Sequence, residues 1–333
     1  MSRRKLSKQQ RARITRIQEQ RRQLADARAE SLLSKDPANP AVEGCVIVRH
    51  GRSLLVRGPD GEAVHCLFRQ NLGEIVCGDR VLWQPVDGDA GVVVALLERN
   101  TVLSRQDHAE HDKPIAANIS QLVVVLAPRP EPTGFLLDQY LITAERIGVR
   151  SALCLNKTDL LDDVERTTFR QHFSHYENLA TLIQVSAKTT QGLEPLFELL
   201  RGHTSILVGQ SGVGKSSLIN ALLPGTELLE GELSDATGLG RHTTSAATLH
   251  ALEGGGEIID SPGVRSFRLS RLTRQELEDG FPELRTLKGQ CRFSDCTHRH
   301  EPGCAVREAL EASRIHPDRL ASFHHLAEQT SDR

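Results

Sequence analysis

A chain of 333 residues, 38% hydrophobic and 25% charged, is long enough for two or three domains, one of them with a sizeable core. It contains no run of about 18 apolar residues and no apolar segment behind its charged N-terminus, which argues against a transmembrane helix and a secretory signal; a cytoplasmic protein with its seven cysteines reduced is expected. The net charge of −2 conceals an asymmetry, because residues 1–35 hold eleven Lys or Arg against three acidic residues, and such a basic arm on an acidic body suits a polyanionic partner, nucleic acid ahead of membrane.

In chain order, residues 1–40 read as a basic flexible arm and a linker, polar, rich in Gln and Arg, and closing on Asp36-Pro37-Ala38-Asn39-Pro40. Residues 41–105 carry short apolar runs broken by Gly and by a Pro59-Asp60-Gly61 turn, with strand candidates at Gly44–Val48, Ser53–Val56, Val64–Phe68, Asp79–Trp83 and Gly91–Leu97. That spacing suits an OB-like β-barrel, an architecture that often binds oligonucleotides and that also occurs as a purely structural module. Trp83 and Phe68 are too few aromatics for a base-stacking surface. Cys45, Cys66, Cys77 and Cys154 lie in or beside apolar runs and read as small core residues.

From 106 to 272 the pattern alternates. Near-continuous apolar runs at Leu122–Leu126, Ser151–Leu155, Ile183–Val185, Ser205–Val208 and Glu257–Ile259 are separated by amphipathic stretches such as Leu136–Ile147 and Gly192–Leu200. This is the signature of an α/β domain with a mostly parallel sheet covered on both faces. Residues 273–333 join a Cys/His cluster to helical stretches at Ala305–Ser313 and Pro317–Glu328.

The strongest motif is Gly209, Gln210, Ser211, Gly212, Val213, Gly214, Lys215, Ser216, followed by Ser217: a GxxxxGKS P-loop standing between the strand Ser205–Val208 and a helix over Ser217–Leu223. Glycines let backbone N–H groups wrap the phosphates, the helix N-terminus adds positive potential, Lys215 neutralises the β/γ oxygens and Ser216 ligates Mg2+. Asn156-Lys157-Thr158-Asp159 then selects the base, because a carboxylate at Asp159 can accept from guanine N1–H and the exocyclic amine, a pair adenine lacks. Asn156 would contact the base or tie its loop to the P-loop, and the Lys157 stem would cover the base face. Ser186-Ala187-Lys188, again after a strand, matches the loop whose Ala187 amide donates to guanine O6.

Asp260-Ser261-Pro262-Gly263 follows the strand Glu257–Ile259 and matches DxxG, with Asp260 holding Mg2+ through water and the Gly263 amide sensing the γ-phosphate. Upstream, the Gly-rich stretch Gly238–Thr244 suits a mobile switch, and Thr243 or Thr244 would close over Mg2+, with Thr244 slightly favoured. Lys215, Thr244 and His242 form the candidate catalytic set. His242 enters because Val264 stands where Ras-type enzymes place the water-orienting Gln, so slow unassisted hydrolysis is expected; an exposed histidine with no catalytic role is the alternative. These elements run in circularly permuted order, base-reading loops first and P-loop after them, which closely spaced chain ends permit. A shift in 260–267 would then pull on the C-terminal region, where Arg265, Arg268, Arg271 and Arg274 are either phosphate contacts or a solvated charged face.

Cys291, Cys296, His298 and Cys304 offer three thiols and one imidazole within fourteen residues, the donor set of a closed, structural Zn2+ site, with His300 as the competing imidazole. Permuted GTPase motifs between an upstream OB-like barrel and a downstream Cys3His cluster closely resemble the RsgA (YjeQ) family of small ribosomal subunit biogenesis GTPases, over about residues 40–305. The resemblance implies GTP hydrolysis stimulated by the 30S subunit late in its maturation, barrel and zinc region against rRNA, zinc on the four residues named, and a hydrophobic residue at the Val264 position. Ser261 departs from the DTPG common in GTPases. A monomer is expected. Two other readings compete: a GTP-dependent RNA-binding scaffold with incidental turnover, and a translation-linked GTPase outside assembly.

Overall fold

In the computed structural model the described residues are 39–51, 53–86, 90–106, 112–223, 247–261 and 272–331. The basic arm, the switch stretch with His242, Thr243 and Thr244, and Gly263, Val264, Arg265, Arg268 and Arg271 lie outside them. The chain divides into two compact units, of which the first runs to Asn100 and also takes in Ala116–Asn118 and Ala246–Leu249.

The first unit is a closed five-stranded barrel. Strand β1 (Val42–His50) pairs antiparallel with β2 (Ser53–Arg57), β2 antiparallel with β3 (Ala63–Phe68), and β3 parallel with β5 (Ala90–Leu96). Antiparallel pairs from β5 to β4 (Arg80–Val86) and from β4 back to β1 complete the ring. The order 1-2-3-5-4-1 is that of an OB-like barrel, and all five strand candidates fall on it. Its interior is filled by Val46, Leu54, Val56, Ile75 and Val81 around Trp83 and Phe68, which are only 6% and 7% exposed. The two aromatics are core residues of the barrel. Cys66 and Cys77 are buried with them, whereas Cys45 is only half-buried.

Two glycines make room for the indole. A Cβ on Gly91 would lie 2.6 Å from Trp83 Cε3 and 2.8 Å from Cys66 Sγ, and one on Gly44 would lie 2.9 Å from Trp83 Nε1. Where the chain enters β4, the fully buried Asp79 carboxylate accepts from Val76 N–H at 2.7 Å and pairs with Arg99 Nε at 2.7 Å. A buried carboxylate without such partners would cost several kcal/mol.

The second unit holds β6 (Val102–Gln106) and most of β7 (Asp112–Ala117), which form a two-stranded sheet, and then a parallel sheet. Its strands are β8 (Gln121–Leu126), β9 (Arg150–Leu155), β10 (Thr181–Gln184), β11 (Thr204–Val208) and β13 (Glu257–Asp260), preceded by β12 (Thr248–Ala251). The spatial order is β10-β9-β8-β11-β13, with neighbouring strands parallel. β8 is buried at all six positions, as a central parallel strand must be. Helices α1 (Gly134–Ile147), α2 (Asp163–His172), α3 (Leu193–Leu200) and α4 (Lys215–Leu222) connect the strands. Helix α2 has no buried residue and so no apolar face for sequence periodicity to reveal; a capping box between Asp162 and Glu165 marks its start.

Four more helices follow: α5 (Arg274–Asp279), α6 (Pro282–Arg285), α7 (Ala305–Glu311) and α8 (Pro317–Ser331). Their core of Leu277, Phe281, Val306, Ile315 and Phe323 includes Ile142 of α1, so the C-terminal helices share a core with the α/β sheet's first helix. A buried ion pair joins the same elements: Arg319 of α8 is hydrogen-bonded to Asp138 of α1 and to Glu283 of α6, at 3% and 0% side-chain exposure for the Arg319–Asp138 pair. Burial pushes the Asp138 carboxyl up and the Arg319 charge opposes it. Arg319 also lies 4.4 Å from the Phe281 ring centroid, a cation–π contact inside a desolvated site.

Filling the space beside the indole should destabilise the barrel. Gly91→Ala is expected to lower unfolding free energy by about 1–3 kcal/mol, read from denaturant unfolding followed by the fluorescence of the chain's single tryptophan.

Candidate functional site

Parallel register places the C-terminal ends of β8, β9, β10, β11 and β13 on one edge of the sheet, where α/β folds bind ligands. Loops distant in sequence therefore meet there. The P-loop leaves β11 at Gly209 and enters α4 at Lys215; Asn156–Asp159 leave β9, Ser186–Lys188 follow β10, and Asp260 ends β13. Helix α4 begins at Lys215, two residues earlier than its apolar pattern suggested, because Gly214 in a left-handed conformation caps it. A Cβ on Gly214 would lie 2.4 Å from Asn156 Nδ2, so only glycine fits.

Asn156, 1% exposed, is the junction of three loops. Its Nδ2 donates to Val213 O at 3.0 Å and Gly214 O at 3.4 Å, while its Oδ1 accepts from Ala187 N–H at 3.1 Å. Of the two roles left open for Asn156, tying its loop to the P-loop is the one its contacts make. Lys157 adopts a left-handed backbone, φ 62°, and its Nζ donates to Gly212 O and to Arg129 O. Asp159 is half-buried, and its Oδ1 accepts from Ser186 Oγ at 2.7 Å. Thr158 is buried and bonds Val185 O through both its N–H, at 3.2 Å, and its hydroxyl, at 3.0 Å. Lys188, Ser211, Ser216 and Ser217 are exposed. Lys215 Nζ donates to Gly209 O at 2.7 Å and Gln210 O at 2.8 Å, folded over the loop that its charge would share with phosphates.

The arrangement offers backbone N–H groups at a helix N-terminus, a lysine, and a carboxylate beside two backbone-anchored loops. That combination can hold a nucleotide's phosphates at one end and a base with paired donors at the other. Of the sequence-predicted residues, these loops and Asp260 are brought to one edge; His242, Thr243, Thr244 and Gly263 lie outside the described residues.

A separate cluster sits in the C-terminal helices. The donor atoms of Cys291, Cys296, His298 and Cys304 all lie within 4.8 Å of one another. His298 Nδ1 is 3.4 Å from Cys304 Sγ and 3.6 Å from Cys291 Sγ, and the Cys291 and Cys304 sulfurs are 4.0 Å apart. A tetrahedron with Zn–S bonds of about 2.3 Å has edges of about 3.8 Å, so the four donors fit zinc closely. His298, not His300, joins the thiols. Its other ring nitrogen, Nε2, faces Glu278 at 3.5 Å, the outer carboxylate that fixes a ligating imidazole's orientation. The Arg274 guanidinium donates to Cys296 O at 2.6 Å and pairs with Glu278 at 3.1 Å, so this arginine is occupied locally. A second group, His175, His316 and Asp318, also gathers donor atoms. There the two imidazoles stack at 3.8 Å with 4° between planes, and no single ion can lie in the plane of both rings.

Sequence reasoning missed Glu278, Asp138 and Arg319. The available signal was a charged side chain at a core position of an otherwise amphipathic helix. Replacing Cys304 by Ser should remove one thiolate and lower zinc content from one equivalent to well below one, with loss of cooperative unfolding in the C-terminal helices; metal analysis of the purified chain beside circular dichroism checks this.

The profile of the RsgA GTPase family matches residues 96–270. The chain is 44% identical over 334 residues to an Azotobacter vinelandii protein named small ribosomal subunit biogenesis GTPase RsgA, covering 98% of this chain and 97% of the relative. A Pseudomonas aeruginosa protein of the same name is 45% identical over 330 residues, with the same coverage of 98% and 97%. Among solved structures, YjeQ from Thermotoga maritima is similar with a TM-score of 0.73 at 31% identity, covering 88% of this chain and 100% of that one. YloQ, described as a circularly permuted GTPase, gives 0.69 at 26% identity, covering 88% and 96%.

Proposed function

This chain belongs to the RsgA GTPase family, and from that premise we propose that it is a cytoplasmic GTPase that binds the small ribosomal subunit and hydrolyses GTP there late in subunit maturation. The single observation that carries the site assignment is the Asn156 carboxamide, which joins the P-loop to both base-reading loops. Only a ligand with a phosphate end and a base end needs those loops in one fixed relation.

In this reading the N–H groups of Ser211–Ser217 and Lys215 Nζ bind the phosphates, Lys215 turning from the Gly209 and Gln210 carbonyls toward the β/γ oxygens. Asp159 accepts from guanine N1–H and the exocyclic amine, held toward the base by Ser186 Oγ. The Ala187 N–H, which here donates to Asn156 Oδ1, would be the donor to guanine O6. Ser216 and Asp260 would hold Mg2+, Asp260 through water and with Thr243 or Thr244 above it; the bound ion neutralises charge on the transferred phosphoryl group. His242 is assigned to orienting the attacking water, and Gly263 to sensing the γ-phosphate. Zinc on Cys291, Cys296, His298 and Cys304 has a structural role, since no ligand position stays open. The partner is the 30S subunit, with rRNA against the barrel, the zinc region and the basic arm, and the protein acts as a monomer.

Steady-state GTP turnover by the purified chain should be slow, and faster by at least about tenfold with 30S subunits but not with 50S subunits, since a partner-supplied group can contribute far more than that. Lys215→Ala, with neither activity, controls for contaminating phosphatase. Equal rates with and without 30S would overturn the ribosome-stimulated mechanism. Asp159→Ala is expected to weaken GTP binding roughly 10- to 100-fold while leaving ATP binding unchanged, measured by competition against a fluorescent guanine nucleotide.

A further inference from the structure

The P-loop begins at Gly209, and this residue is pressed against the sheet: with φ at 137°, a Cβ there would lie 2.3 Å from Val125 O of β8. Its carbonyl is also one of the two that hold Lys215 Nζ, at 2.7 Å. The placement of Gly209 therefore decides where the loop starts and where the lysine rests. One side chain outside the motif acts on it. Tyr140, in the middle of α1, is 2% exposed and lines a narrow cavity together with Gly209, Gln210 and Val213. Its phenol is hydrogen-bonded by the Gly209 backbone, and burial raises its pKa to about 12, so it stays protonated.

Helix α1 is a firm mounting for that phenol. Two residues before it, Asp138 is locked to Arg319 in the buried ion pair. Further along, Glu145 pairs with Arg285, and Arg146 with Glu276 at 3.5 Å. Ile142 is fully buried in the core of the C-terminal helices. A helix held at four points along its length keeps its central phenol in place while the loop beside it is free to change.

We propose that Tyr140 is a positioning residue of the nucleotide site, which holds Gly209 in the phosphate-ready conformation before the nucleotide arrives. The proposal rests on the P-loop reading given above. Without the hydroxyl, the start of the loop gains conformations in the free protein, and binding must remove them, so affinity falls through lost preorganisation. Once nucleotide is bound its phosphates order the loop themselves, and the chemical step proceeds much as before. The expected pattern is therefore a rise in Kd and KM with little change in kcat.

The test uses the full chain carrying Tyr140→Phe, which keeps the ring and removes only the hydroxyl, beside wild type and Lys215→Ala. Fluorescent GDP and GTP analogues give Kd, turnover gives kcat and KM, and zinc content and the unfolding midpoint check the fold. Tyr140→Phe should raise Kd and KM roughly 3- to 10-fold, the worth of one ordinary hydrogen bond, with kcat within about twofold and zinc content unchanged. Unchanged Kd and KM, whatever happens to the unfolding midpoint, would mean that Tyr140 only packs the core, and the proposal would fall. If Lys215→Ala binds nucleotide as tightly as wild type, the P-loop reading itself fails, and with it this inference. If Lys215→Ala loses binding while Tyr140→Phe does not, only the positioning role fails.

Discussion

The side-chain amide of Asn156 is the interaction on which the arrangement of the site depends. It is almost fully buried at the end of a central strand, and it spends both its donor and acceptor capacity on backbone groups of two other loops. A buried amide that lost these partners would carry the full desolvation cost of an unsatisfied polar group. The same bonds fix the separation between Gly214, where the P-loop turns into α4, and Ala187 in the loop after β10. Three stretches separated by about thirty residues each are thereby held as one surface. The P-loop's own glycine at 214 completes the contact, since any Cβ there would collide with the amide.

That junction is available only because the sheet is parallel. Every strand that feeds the site runs the same way, so every loop that leaves a C-terminal end arrives at one edge regardless of its order in the chain. Circular permutation thus leaves the site's chemistry untouched and changes only what is attached to the sheet. In this chain α1, the first helix after β8, packs its Ile142 into the core of the C-terminal helices and its Tyr140 against the P-loop. One helix therefore serves both the nucleotide loop and the region that carries the thiol cluster. The Asp138–Arg319–Glu283 network fixes that packing at a buried position, where an unpaired charge would be very costly.

Polar groups in the interior are concentrated at such junctions. Asp79 with Arg99 closes the barrel's entry to β4, Ser205 with Gln121 ties neighbouring parallel strands at 2.9 Å, and Glu278 backs the His298 imidazole. Each pair sits where two elements that are distant in sequence must keep a fixed register. The barrel shows the complementary device, in which glycines at 44 and 91 leave room for a single indole to fill the interior.

The sequence by itself determined the elements whose signal is local. Apolar runs of strand length located all five barrel strands and the five parallel strands, because burial on one or both faces dictates the residue pattern. GxxxxGKS, Asn156–Asp159, Ser186–Lys188 and the Cys/His spacing were legible as motifs because the chemistries they suggest demand particular side chains at short separations. Helix α2 escaped, having no apolar face, and so did the β6–β7 pair, whose strands are half-polar with Pro114 inside one of them. What only the tertiary structure decided were the long-range choices: Asn156 as a loop tie, His298 over His300 beside the thiols, Arg274 turned to Cys296 O and Glu278, and Tyr140 against Gly209. Each depends on which groups meet across tens of residues, and one-dimensional periodicity carries no information about that meeting.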